Sequence, residues 1–155
     1  MKNFFFLPVI IPALLMTACN SSEPAGEPAA VAAKGTYMGT MVVDQNDGTF
    51  YTQDSVNVVF TPTEAGKAEI KMLKVSFSSR MPVKLDMTVP DVTAAEISEG
   101  LSLSGDSIVP LAGIVPYPAY TITGLTGKAT PQTLSFELMC GAYPLTFSGE
   151  SLPSE

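Results

Sequence analysis

The sequence contains no histidine and no tryptophan among its 155 residues. Histidine is the usual general base near neutral pH, the partner of catalytic serine and cysteine, and a common zinc ligand. Its absence excludes Ser-His-Asp and Cys-His catalysis and the ordinary zinc sites. No clustered pair of acidic residues offers another acid–base set. We therefore expect a protein that is not an enzyme and that carries no metal and no other cofactor.

Basic residues are also scarce. Eight lysine and arginine residues stand against fifteen acidic residues, which gives a formal net charge of −7, and Arg80 is the single arginine. Proteins that bind nucleic acid present a clustered basic face, and this chain has none. Electrostatic binding to an anionic membrane surface is disfavoured for the same reason. We expect no nucleic-acid partner.

Long apolar runs are lacking as well, and the one apolar run present is short. Residues 4–16 are apolar but are interrupted by Pro8 and Pro12, and they fall short of the roughly 20 apolar residues that a membrane-spanning helix needs. Lys2 precedes the run, and the run ends in Leu15-Met16, which Thr17-Ala18-Cys19 follow. A basic start, a short apolar segment, small residues and then a cysteine are typical of a bacterial lipoprotein signal.

This motif predicts a signal peptide at residues 1–18 and lipidation of Cys19, which would fasten the protein to a membrane. The alternative is an ordinary secretory signal cleaved after Ala18, with the cysteine present by chance. Residues 20–30 have polar residues among Pro, Ala and Gly and no apolar period, which predicts a flexible tether at residues 19–33. The folded domain is then expected to span residues 34–155, and Cys140 would be the one remaining thiol, unable to form an internal disulfide.

Within that domain apolar and polar residues alternate with a period of two, as in residues 83–89 and 134–140. This period indicates β-strands with one buried face. Turn-forming residues separate the runs, as in Asn46-Asp47-Gly48. A change of phase in the third strand predicts a β-bulge near Met72, and residues 90–96 allow one short helical turn. The nine predicted strands are residues 35–44, 55–61, 68–77, 82–89, 96–103, 107–111, 119–124, 133–140 and 143–149.

Short strands joined by short connections predict an all-β fold. We expect an antiparallel up-and-down β-barrel of about eight strands, which closes its own edges. A β-sandwich is the alternative, but Greek-key sandwiches need at least one long crossover. The longest irregular stretch, residues 112–118, is short for that purpose.

Three segments carry a resemblance to a known family: Gly35–Met41 at the start of the domain, Leu134–Leu138, and Pro144–Gly149 near its end. Together with the lipidation motif and the tether, they resemble the calycin-like β-barrel lipoproteins of Bacteroidetes-type bacteria. The resemblance implies an eight-stranded, lipocalin-like barrel and no agreed activity. Gly35-Thr36-Tyr37 is also similar to the Gly-x-Trp signature of lipocalins, whose aromatic residue closes one end of the barrel. Tyr replaces Trp here, and the late arginine of lipocalins is missing.

Two groups of residues are candidates for binding. The first group would line the lumen of the barrel and contact a small apolar ligand, unless these side chains simply fill the core. Its members are Tyr37, Met41, Phe60, Leu85, Met87, Tyr120, Phe136 and Phe147. The second is Tyr117, which lies between Pro116 and Pro118 and is expected to contact a partner from a rigid loop, unless this loop packs against the barrel. Asp44–Gly48 resembles a calcium loop only faintly, and we interpret it as a hairpin turn.

These observations lead to two functional hypotheses for a protein in the cell envelope, lipid-anchored and expected at the outer membrane. It carries a small apolar molecule, or it is an accessory module that binds an envelope protein or a glycan. Neither hypothesis requires catalysis.

Overall fold

The structure is a computed structural model that describes residues 28–153. Cys19, the predicted signal peptide and most of the predicted tether lie outside the described residues. The elements are one short helix, ten strands and one 3₁₀ turn. Their bounds are α1 Ala29–Ala32, β1 Gly35–Asp44, β2 Phe50–Glu64, β3 Lys67–Val75, β4 Leu85–Ile97, β5 Gly100–Gly105, β6 Leu111–Ala112, β7 Val115–Pro116, the 3₁₀ turn Pro118–Tyr120, β8 Ile122–Ala129, β9 Thr133–Cys140 and β10 Tyr143–Ser151.

Eight of the strands form a closed antiparallel barrel, which confirms the predicted fold class. Each of these eight strands, β1 to β5 and β8 to β10, pairs with the next of the eight along the chain, so that β3 pairs with β4 and β5 with β8. The last strand, β10, pairs with β1 and closes the barrel. The order around the barrel is therefore an up-and-down meander. The small hairpin of β6 and β7 is an insertion between β5 and β8, and β6 pairs with the start of β4.

The two ends of the barrel differ. At one end lie helix α1 and the short connections 65–66, 98–99 and 130–132, and we call it the helix end. At the other end lie the connections 45–49, 76–84, 106–121 and 141–142, and we call it the loop end. The long connections are all at the loop end, so that end has the larger irregular surface.

Period-two alternation places apolar side chains in the barrel interior and polar side chains outside. Strand β9 shows the pattern most clearly, because Leu134, Phe136, Leu138 and Cys140 are buried while the residues between them are partly or fully exposed. One continuous apolar core fills the barrel from end to end. Burial of this core is the main source of stability of the fold.

Bulges bend the strands so that the sheet can close. Lys74 has a positive φ of 52°, and the β3–β4 register shifts between Met72 and Val75. The predicted bulge near Met72 is therefore present, two residues further along. The carboxylate of Asp86 accepts a hydrogen bond from the Lys74 backbone N–H at 2.9 Å. This bond satisfies a donor that the bulge removes from the ladder.

Helix α1 closes the helix end. It packs against β4 and β5, and Ala33, directly after it, is fully buried. The Tyr37 hydroxyl lies 2.6 Å from the carbonyl oxygens of both Ala33 and Thr130, and its single proton can be donated to one of them at a time. Tyr37 thus joins α1, β1 and the β8–β9 connection, and burial raises its pKa.

Several predicted elements differ from the structure. Residues 29–32 are helical and belong to the packed domain, although they lie in the segment predicted as tether. The predicted helical turn at residues 90–96 is wrong, because these residues lie in β4. The predicted strand 107–111 is reduced to a single bridge between Ile108 and Ile122, and residues 125–129 continue β8 although no strand was predicted there.

Candidate binding site at the loop end of the barrel

The candidate lumen residues do lie in the barrel interior. Six of the eight are buried, namely Tyr37, Met41, Phe60, Met87, Phe136 and Phe147, and the other two, Leu85 and Tyr120, are half-buried against the same core. Phe136 and Phe147 stack on each other with ring centroids 5.2 Å apart. These side chains pack on one another as core residues do. Whether they also contact a ligand stays a prediction.

The pockets described among residues 28–153 lie at the surface or at the barrel ends. None of the five is lined by Met41, Phe60 or Met87, the three candidate residues with no exposed surface. An apolar ligand in the middle of the lumen would therefore have to displace packed side chains.

A stack of three aromatic rings runs outward at the loop end. Phe77 is buried, and its ring centroid lies 5.2 Å from that of Tyr120. Tyr120 in turn stacks on Tyr117 with centroids 5.0 Å apart and an angle of 9° between the rings. Burial raises the pKa of Tyr120, and the neighbouring Tyr117, Cys140 and Tyr143 contribute to the same rise. The stack fixes the 3₁₀ turn against the β3–β4 connection.

A small pocket of about 240 Å³ opens beside this stack. We call it the loop-end pocket, and it is lined by Phe77, Ser78, Arg80, Met81, Tyr120 and Tyr143. Three separate parts of the chain form it: the β3–β4 connection, the turn before β8, and the start of β10. The backbone N–H of Met81 donates to the carbonyl oxygen of Ser78 at 3.2 Å, and that of Phe77 lies 3.5 Å from the Met81 sulfur. These contacts hold the β3–β4 connection in a tight turn around the pocket.

Large apolar side chains are also exposed at this end. We define the loop-end surface as Phe50, Val83, Ile114, Val115 and Tyr117, whose exposed fractions are 67%, 67%, 92%, 59% and 39%. Ile114 lies at the turn of the β6–β7 hairpin, where a polar residue would be more usual. Tyr117, the candidate partner residue, belongs to this surface. Large apolar side chains exposed in one region of a folded domain are typical of an interaction site.

Cys140 lies under the loop end. Its Sγ atom is 4.0 Å from the Sδ atom of Met87 and 4.0 Å from the carbonyl oxygen of Tyr120. The thiol is fully buried, and this burial raises its pKa to about 12. A thiol with so high a pKa is neutral at physiological pH and is a poor nucleophile. Cys140 lies on the buried face of β9, together with Leu134, Phe136 and Leu138.

The turn Asp44–Gly48 joins β1 and β2 as a hairpin connection. Asp47 accepts hydrogen bonds from the backbone N–H and the hydroxyl of Thr49, and these bonds, with a smaller effect of Arg80, lower its pKa. The carboxylates of Asp44 and Asp47 thus accept hydrogen bonds from within the turn and stabilise it. Within residues 28–153 no group of three or more acidic, cysteine or histidine side chains is arranged to hold a metal ion. In the same residues no helix is long and apolar enough to cross a membrane.

The sequence identifies Tyr120 of the loop-end pocket, and Tyr117 that stacks on it, but not the other five lining residues. In the sequence Phe77 lies at the end of a predicted strand, and Arg80 is distinctive only as the single arginine. Met81 and Tyr143 were not singled out. Nothing in the spacing of these residues along the chain shows that they meet. The one signal of the pocket in the sequence is that Phe77 and Tyr143 are aromatic residues at the ends of predicted strands.

Comparison with known proteins shows the fold and nothing finer. No family model matches the chain, and no curated protein sequence matches it. A crystal structure from Bacteroides fragilis, of a protein provisionally named an outer membrane protein, is similar over 80% of this chain with a TM-score of 0.56 and 20% sequence identity. The chain spans about half of that protein, 53% of its length. At this identity the likeness establishes a shared fold, and the calycin-like family is not confirmed.

Proposed function

We propose that this protein is a non-catalytic, lipid-anchored protein of the cell envelope that binds a partner protein through the loop-end surface. One observation carries the proposal. The chain enters the domain at Pro28 beside helix α1, whereas the loop-end surface lies at the opposite end of the barrel. A lipid on Cys19 would therefore hold the domain by its helix end and leave the apolar loop end facing away from the attachment point.

The envelope location rests on two supports. The sequence before Cys19 has the features of a lipoprotein signal, and the structurally similar Bacteroides fragilis protein carries a name that refers to the outer membrane. The absence of histidine supports a non-catalytic role. These observations support a location at the outer membrane with an N-terminal lipid as the anchor.

The structure favours a protein partner at the loop-end surface over a small ligand in the barrel lumen. Its five side chains are apolar and exposed, and a partner would remove them from water at a gain of about 25 cal/mol for each Å² buried. The Ile114 side chain is almost fully exposed at the turn of the β6–β7 hairpin, so a partner would bury most of its surface. Loops held on a rigid β-scaffold are common sites of partner contact.

The anchor is tested by substituting Cys19→Ala and fractionating the cells. We expect the variant in the soluble periplasmic or secreted fraction and the unaltered protein in the membrane fraction. Cys140→Ala, which removes the other cysteine, is the matched control and is expected to stay with the membrane. A Cys19→Ala protein that remains fully membrane-bound would show that the anchor has been misassigned.

The partner surface is tested by placing a photo-crosslinking amino acid at single positions in cells. Ile114 is the test position, and Ile97 is a matched control, because it is also an exposed isoleucine (42%) but lies at the helix end. We expect a discrete protein adduct from position 114, its loss when Val115→Asp is added, and no adduct from position 97. Equal adducts from both positions, or none from position 114, would refute the proposed surface.

A further inference from the structure

We propose that the loop-end pocket binds a small organic acid, namely a single ring that carries one carboxylate. The site is distinct from the loop-end surface, since Phe77, Ser78, Arg80, Met81, Tyr120 and Tyr143 line it and none of these belongs to that surface. The inference goes beyond the proposed function, because it requires neither the anchor nor the partner protein.

The volume of the pocket limits the ligand. Pockets for drug-sized molecules are about 300–1,000 Å³, whereas this one is about 240 Å³. A single six-membered ring with one substituent is the size that fits. A long acyl chain or a polycyclic molecule would extend into solvent.

The walls of the pocket favour a ring. Phe77 is buried and Tyr120 and Tyr143 are half-buried, so each ring is held in place before a ligand arrives. Met81 adds a flexible thioether that adapts to the ligand's shape and packs well against rings. A flat or chair-shaped ring gains contact with these side chains at a low entropic cost, because they are already ordered.

Arg80 supplies the charge. It is the single arginine of the chain, and its planar guanidinium matches a carboxylate with two parallel hydrogen bonds. The only ion pair among residues 28–153 joins Lys128 to Glu99, so Arg80 has no carboxylate partner there. Ser78, on the same connection, offers a hydroxyl beside it. A cation without a partner at the rim of an aromatic pocket is complementary to a ring-bearing acid.

Asp47 modulates the site from the neighbouring β1–β2 connection. The Gln45 side chain of that connection donates a hydrogen bond to the carbonyl oxygen of Phe77 at 2.8 Å, which holds the connection beside the pocket. The hydrogen bonds from Thr49 are the main cause of the lowered pKa of Asp47, and the charge of Arg80 is a minor one. The negative charge of Asp47 opposes an incoming carboxylate. Removing that charge should therefore strengthen binding, which is the opposite of the effect of removing Arg80.

The test is a calorimetric or NMR titration of the full chain carrying Cys19→Ala, so that no lipid or detergent is present. Benzoate and its neutral analogue benzamide are the first pair of probes, and glucuronate is a third probe that replaces the aromatic ring by a sugar ring. We expect benzoate to bind at least about fivefold more tightly than benzamide. If glucuronate binds more tightly than benzoate, the ligand is a sugar acid, and the reverse order identifies an aromatic acid.

Three substitutions complete the test. Arg80→Gln should weaken binding of the preferred acid about tenfold, and Asp47→Asn should strengthen it. Lys84→Gln is the matched control, because it removes a positive charge from the same connection but does not line the pocket, and it should leave the affinity within about twofold. Equal binding of benzoate and benzamide, failure of both acids to bind, or equal effects of Arg80→Gln and Lys84→Gln would overturn the proposal. None of these outcomes depends on the crosslinking result at Ile114.

Discussion

At the scale of the residue, Cys140 shows how burial controls the ionisation and the reactivity of a thiol. A cysteine in an oxidising compartment is open to modification when it is exposed and ionised. Here the thiol is enclosed by the core between Met87 and Tyr120, and its pKa is raised to about 12 from an ordinary value of 9.0. The neutral thiol acts as a small apolar side chain, and its role is packing.

This raised pKa predicts a pH dependence of stability. The folded state keeps the thiol protonated, whereas the unfolded chain loses the proton near pH 9, so the stability is fully present below pH 9 and is lost as the pH rises toward 12. Between pH 8 and pH 10, the free energy of unfolding should fall about 1 kcal/mol more with Cys140 present than in Cys140→Ala, both in the Cys19→Ala background. Urea unfolding at each pH measures this difference. Parallel pH profiles for the two proteins would contradict it.

Tyr37 is a second case in which one residue joins several elements. Its ring lies in the core at the helix end, and its hydroxyl reaches the carbonyl oxygens of Ala33 and Thr130. The similarity of Gly35-Thr36-Tyr37 to the lipocalin signature implied an aromatic residue that closes one end of the barrel. The structure places Tyr37 near the helix end, where its hydroxyl also donates a hydrogen bond to one of these two backbone carbonyls at a time.

At the scale of the element, the pairing of β1 with β10 closes the barrel. Gly39 lies opposite Gly149 in this ladder, and a β-carbon at Gly39 would overlap the backbone of Ser148 and Gly149. The two glycines therefore allow a backbone approach that no other residue permits. The closure depends on the absence of two side chains.

Gly39→Ala is therefore expected to destabilise the domain by about 2–3 kcal/mol, because the two strands must move apart. Gly35→Ala is the matched control, since Gly35 lies in the same strand and has open space around its β-carbon position. Chemical denaturation of the two variants measures the contrast. Equal stabilities would show that the β10 backbone can move away from Gly39 without a loss of folding free energy.

The β4 strand shows why a local prediction failed. Pro90 and Asp91 favour a break, and residues 90–96 were predicted to allow a helical turn. In the structure Asp91 has a positive φ of 55°, and the β3–β4 register shifts between Ala68 and Ile70, so the two residues form a bulge within a continuous strand. Proline is tolerated at such a position because no ladder hydrogen bond is required of it. Pairing with β3 on both sides of the bulge, and with β5 after it, outweighs the local preference.

At the scale of the whole molecule, helix α1 covers one end of the barrel, and the other end carries the long connections. Helix α1 and Ala33 cover the core at the helix end, with Ala29 and Ala30 packed against it. The long connections at the loop end carry the pocket and the exposed apolar side chains. Both proposed binding functions therefore lie at the end of the barrel opposite helix α1.

Because α1 belongs to the fold, deleting residues 28–33 should lower the free energy of unfolding by about 1–2 kcal/mol, through exposure of core surface at the helix end. The urea midpoint of the Cys19→Ala protein with and without the deletion measures this change. Deletion of six residues nearer the N-terminus, 20–25, is the control and should leave the midpoint unchanged. If both deletions behaved alike, α1 would contribute nothing to the domain.

The sequence by itself determined the fold class and several strands. β1 at residues 35–44 and β9 at residues 133–140 match their predicted bounds, because period-two alternation between turn residues is a local signal that the barrel interior reinforces. The candidate lumen residues face inward for the same reason. The tertiary structure alone decided the rest. The continuation of β4, the docking of α1, the glycine closure and the loop-end pocket all arise from contacts between residues far apart in the chain, whose burial and hydrogen bonding outweigh local preferences.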